Sequence, residues 1–156
     1  MSTRDLHTNI KTVLMMVPIV VNNDTEGTPS TGLDCREGDA NEIILAVGDS
    51  GDTLSGSVKH DVIAEDSNDN TTFAAVTDAN ALLLTGNKVA STLGSNGIIY
   101  TIDDPAEDQI VVRCGYLGSK RYFRLRVDTT GTHTNGTPMS MVGIQHRLHV
   151  APGKDA

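Results

Sequence analysis

The sequence predicts an all-β protein built as a single β-sandwich, and three observations carry that expectation. From Lys120 to Val127 the even positions hold Lys120, Tyr122, Arg124 and Arg126, while the odd ones include Phe123, Leu125 and Val127. A period of two places successive side chains on opposite faces of a strand, here one cationic and one apolar. Turn-forming residues also recur about every ten positions, the rhythm of short strands in a sandwich or barrel. The third observation is the core material: aromatic content is 3% with no Trp, leaving Val, Ile, Leu, Met and Ala, each larger one contributing roughly 1.5–3 kcal/mol when buried. A chain of 156 residues suits one domain able to bury a core without staples. The expected architecture is roughly eight strands, of jelly-roll or immunoglobulin-like type, over residues 23–156. A short N-terminal arm or helix over residues 1–22 precedes it.

Leu6, Ile10, Val13, Leu14 and Val17 fall at helical spacing, and Pro18 would end such a helix. The β-branched Thr12, Val13, Val20 and Val21 favour a strand over Val13 to Val21 instead, so both readings stand. The run Thr12 to Val21 falls well short of the roughly 20 residues of a membrane-spanning helix, and it lacks the basic start and small-residue cleavage site of a signal peptide. It reads as mature structure. Asn22 to Gly32 is a polar Gly/Pro/Thr loop. Strands are expected over Glu42 to Val47, Leu54 to Ala64, Thr71 to Val76, Ile98 to Ile102, Gln109 to Tyr116, Lys120 to Val127 and Met139 to Val150. Asp78 to Leu84 suits a short helix. No fixed repeat is visible, which argues against a propeller or solenoid.

The net charge of -8 is unevenly spread: residues 1–99 carry 14 acids against 5 bases, and residues 100–156 carry 6 acids against 7 bases. Such a balance disfavours non-specific nucleic-acid binding, which needs a cationic footprint. It suits a chain that turns one face to another protein. Arg113, Lys120, Arg121, Arg124 and Arg126, interleaved with Tyr116 and Tyr122, have the look of a stacking platform for single strands. Asp103, Asp104, Glu107 and Asp108 just upstream would repel a phosphate backbone, so a solvated or salt-bridged protein-facing surface is the better reading.

Catalytic and metal constellations are sparse. Asp66 to Asn70 alternates oxygen ligands as a calcium loop does, but Thr71 and Thr77 stand where that loop wants Gly and Glu. An Asx-rich hairpin loop is expected instead. His60, His133, His146 and His149 accompany neither a GxSxG elbow nor an HExxH motif, and are expected at the surface or facing a partner. His146 and His149 would point to opposite faces of a strand. Cys35 and Cys114 form no CxxC pair and read as two unpaired thiols rather than a disulfide or metal site. No enzyme, cofactor or metal is expected.

The Arg4-Asp5-Leu6 opening with its Thr-rich loop, the segment Val62 to Val76 and the turn Gly115 to Tyr122 together resemble a family of small tailed-bacteriophage structural proteins, the head decoration or cement proteins. Members are commonly encoded beside the major capsid protein. The likeness covers most of the chain, with the acidic Asp103 to Asp108 loop and the stretch Ala79 to Ser95 read as insertions. It implies a structural virion protein on the capsid surface, assembled in the host cytoplasm. Its partners would be the major capsid protein and further copies of itself on the lattice, with no membrane and no direct nucleic-acid contact. The partner-contact residues expected on this reading are Arg4, Leu6, Ile10, Val13, Lys120, Tyr122, Arg124 and Arg126. A carbohydrate-binding β-sandwich module of a virion or secreted protein is the alternative, weakened by the absence of Trp.

Overall fold

Alternation of apolar and polar residues along the chain is converted into two antiparallel sheets in the computed structural model, which describes residues 9–85, 93 and 96–148. In chain order the strands are β1 (Ile10–Val21), β2 (Leu33–Asp34), β3 (Gly38–Val47), β4 (Lys59–Ser67) and β5 (Ala74–Ala75), then β6 (Leu82–Thr85), β7 (Ile98–Ile102), β8 (Val111–Tyr116), β9 (Tyr122–Thr130) and β10 (Thr137–Leu148). The first sheet has the order β1-β10-β3-β8-β6, and the second β2-β9-β4-β5, with β7 also paired to β4. If β6 and β7 are set aside as additions between β5 and β8, the other eight strands have the connectivity of a jelly roll, two four-stranded sheets formed by interleaved Greek keys. The jelly-roll alternative is the one realised.

Inward-facing side chains of both sheets share one core. Ile43, Leu45, Met139, Met141 and Val112 come from the first sheet, and Val62, Ala64, Phe123, Leu125 and Val127 from the second. Strand β9 shows the expected alternation, with Phe123, Leu125 and Val127 buried and Tyr122, Arg124 and Arg126 half-buried on the other face. Tyr116 of β8 and Phe123 of β9 stack at 4.6 Å between ring centroids, which joins the sheets at one end. This is much of the chain's small aromatic complement, spent where it packs two layers at once.

In the N-terminal segment the strand reading of Val13 to Val21 is realised and the arm or helix is not. Over its described part it is the edge strand β1, paired along its length with β10 from Ile10 opposite His146 to Val21 opposite Thr137. Sheet pairing and β-branching outweigh the helical spacing of Leu14 and Val17. Register shifts between Leu14 and Met16 and between Met16 and Ile19 absorb Pro18, which cannot donate to a ladder. Asp78 to Leu84 holds only a single 3-10 turn, Ala79–Ala81, capped by the Asp78 carboxylate, before it extends into β6. Residues 54–58 form a turn closed by a Ser55–Val58 bridge rather than the start of a strand.

Candidate functional site

Four surfaces compete for a functional role: the outer face of each sheet and the loops at each end. On the first sheet, Leu14 of β1 lies opposite Val142 of β10, which lies opposite Ile44 of β3. The next row runs Ser140, Ala46 and Val111. Leu14 is 63% exposed and Val111 61%, and Val17, Val20 and Leu83 are also exposed. Near the far end of β3 this face holds a groove of about 440 Å³ lined by Pro18, Ile19, Val20, Ala46 and Pro138, among others. Isolated exposed apolar residues are ordinary, but adjoining rows of them mark an interaction surface.

The second sheet's outer face is polar and self-neutralising. Glu65 of β4 stands opposite Arg124 of β9 and pairs with it at 2.7 Å and with Arg126 at 3.1 Å. Arg126 also reaches Asp128 at 2.6 Å. Arg124 is further held by the Pro29 carbonyl at 3.0 Å and lies 3.8 Å from the centre of the Phe73 ring. Its side chain is only 14% exposed, so it is a structural cation. Lys59 to Asp61 and Thr101 to Asp61 continue the same network.

Among the expected contact residues, Arg4 and Leu6 lie outside the described residues, as does His149. Ile10 opens β1, and Val13 packs partly buried against the core rather than outward. Lys120 pairs with Asp66 at 3.2 Å. Tyr122 is half-buried, with the Arg121 guanidinium 4.8 Å from its ring centre. The β1 segment is brought to the apolar face, but through Leu14, Val17 and Val20 instead of Ile10 and Val13. Their side of the strand depends on two bulges, which have no sequence signal apart from Pro18.

At the end formed by the β3–β4 and β9–β10 loops, His60 and His133 are buried with ring centroids 4.2 Å apart. This corrects the expectation that these two histidines face solvent or a partner; His146 does lie exposed. The Thr130 carbonyl accepts from His133 Nε2 at 3.1 Å, so Nε2 carries a proton. Thr137 donates to Ser50 at 3.0 Å and so accepts from His60 Nε2 at 2.9 Å. Both Nδ1 atoms are left buried without a hydrogen bond among the described residues. Asp52 Oδ2 stands 3.8 Å from His133 Nδ1 and accepts from the Asn135 and Gly136 backbone N–H groups. Gly136 has φ +70 there, a left-handed turn that glycine adopts without strain. Burial, and then His133 beside it, push His60 down to about 4, against the pull of Asp52 and Asp61. The two rings are tilted by 32° to each other, and no group of three or more metal-ligating side chains is placed to hold an ion among the described residues.

The opposite end gathers the β2–β3 loop, the β4–β5 loop and the β8–β9 hairpin around a polar cavity of about 340 Å³. The hairpin is Gly115 to Arg121, the turn that stands out in the sequence. Gly118 is required because a Cβ would overlap the Tyr116 hydroxyl, which is fixed by donating to Asp66 at 2.8 Å and accepting from the Lys120 N–H at 3.2 Å. In the β4–β5 loop Asp69 accepts from the Thr71 and Thr72 N–H groups, the self-contained Asx turn expected of it.

Cys35 and Cys114 are both free, and burial pushes each thiol up to about 12. A thiol at that value presents almost no thiolate at neutral pH. Quantitative labelling is therefore expected to find two groups per denatured, unreduced chain and only slow labelling of the folded protein. Fast native labelling at pH 7 would contradict this.

No family model, curated protein or solved structure matches the chain. The fold and its surfaces define the class, an all-β jelly-roll domain.

Proposed function

We propose that this is a structural virion protein that docks on the outside of a capsid and stabilises the head, with the major capsid protein as its partner and neighbouring copies meeting on the lattice. The observation that carries the reading is the apolar patch on the outer face of the first sheet, where exposed Leu14, Ala46 and Val111 adjoin the half-buried Val142 and Ile44. An isolated domain leaves that surface in water; seating it against a shell removes it. The jelly roll is also an architecture of viral capsid domains, an analogy of fold that adds only to the prior. A stable contact of this kind would bury above about 1,200 Å².

Because β1 is integral to the sheet, deleting residues 2–21 would unfold the domain rather than test docking. Leu14→Asp with Val20→Asp changes only exposed side chains. The pair is expected to weaken co-sedimentation with intact particles by about thirtyfold or more, from roughly 1 kcal/mol of lost apolar contact at each site. The melting temperature should stay near that of the parent. Undiminished binding by this variant would overturn the reading. So would particles that lack the protein yet survive heat and osmotic shock as well as complete ones.

A further inference from the structure

The cavity at the β8–β9 hairpin is rich in hydrogen-bond donors on a chain whose net charge is -8. Arg36 is exposed on its wall and makes no ion pair among the described residues. Arg121 engages Asp34 through Nε and Nη2, which leaves Nη1 unused, and its side chain is 37% exposed. Lys120 commits one direction to Asp66 and is 40% exposed. The balancing carboxylates, Asp34 and Asp66, are the more buried members of their pairs. Three cations thus line the cavity, and the carboxylates paired with two of them, Lys120 and Arg121, lie outside its lining. Asn68 and Ser119 add exposed uncharged groups to the wall, and Asp39 supplies a carboxylate.

We propose that this cavity binds an acidic sugar, with the ligand carboxylate seated between Arg36, Lys120 and Arg121 and its hydroxyls read by Asn68 and Ser119. The exposed Arg36 guanidinium can meet a carboxylate edge-on, with Arg121 Nη1 adding a further donor. The volume is at the small end of ligand sites, the size of one sugar residue. The wall is mostly polar, and Leu117, exposed at its edge, offers one small apolar patch to the C–H face of a sugar ring. The site lies at the start of β3, whereas the apolar groove lies at its other end, so a protein seated by the groove still presents the cavity. The inference does not depend on what covers the apolar face.

The test uses the isolated full chain. Calorimetric or NMR titration with glucuronate is expected to saturate with a dissociation constant of about 1 mM, typical of a single shallow sugar contact. Glucose should bind at least about tenfold more weakly, from loss of the charge-assisted contact, and Arg36→Gln should weaken glucuronate by a similar factor. Arg36 is exposed and forms no salt bridge among the described residues, so this variant should keep the parent's melting temperature. Equal binding of glucose, binding of inorganic phosphate or an acetylated glutamate as tightly as glucuronate, indifference to Arg36→Gln, or no saturation would each overturn the proposal.

Discussion

Arg124→Glu is expected to destabilise the folded protein by about 3–5 kcal/mol, the usual cost of leaving one partner of a buried ion pair uncompensated. The sequence alone invites a different use of this residue, as a cation on a docking face whose reversal would weaken binding to an acidic partner. Its environment decides the matter. Glu65 at 2.7 Å, the Pro29 carbonyl and the Phe73 ring enclose the guanidinium. A carboxylate in its place would face Glu65 directly across the strand pair, where like charges repel. Arg126, already shared between Glu65 and Asp128, cannot neutralise all three. Urea unfolding should show a much lower midpoint for Arg124→Glu. Replacing both Glu65 and Arg124 by Leu should bring stability back to within about 1–2 kcal/mol of the parent, since an apolar pair carries no desolvation penalty. An unchanged midpoint for the single variant would show that the pair is solvated.

Acid is expected to remove about 2–3 kcal/mol of stability between pH 6.5 and pH 4, from His60 alone. The ring is buried in its neutral form and its folded value is lowered from 6.5 to about 4, so in that window the unfolded chain binds the proton more readily than the folded one. The contribution is fully present above 6.5 and is lost as pH falls toward 4. Carboxylates act in a separate range. Asp34, lowered from 3.8 mainly by its hydrogen bond from Arg121, contributes above 3.8 and is lost only below it. Denaturation midpoints measured from pH 7 to pH 4 should decline in the parent and stay nearly level over that interval in His60→Gln, whose amide retains a donor for Thr137. A flat parent profile would place His60 in contact with water.

Period two in β9 is written in adjacent letters, so Phe123, Leu125 and Val127 were legible as core and the face bearing Arg124 as its opposite. β4 is different. From His60 to Glu65 every residue is buried, because β9 and β7 flank it and its polar side chains pair across the sheet. A strand covered on both faces has no alternation to read. The partnership of Glu65 with Arg124 depends on register between segments far apart in the chain, as does the meeting of His60 with His133, and neither leaves a local pattern. The donor-rich cavity was half visible: Gly115 to Arg121 stands out as a turn, but Arg36 and Asn68 reach it only through the jelly-roll connectivity. The apolar run Val13 to Val21 was plain, while the side on which each residue emerges was set by bulges that composition does not announce.

The pairing of β1 with β10 also orders events during synthesis. Ile10 leaves the ribosome about 136 residues ahead of its partner His146, so the first sheet stays open along β10's place until the strands between them have been made. Closing so long a loop is slow and comes late. Until then Leu14, Val17 and Val20 travel on an unpaired, apolar strand, exposed to any neighbouring nascent chain. Pro18, which cannot donate to a ladder, interrupts that strand where it is most apolar, which makes it a poor template for pairing with a second copy while it waits for β10.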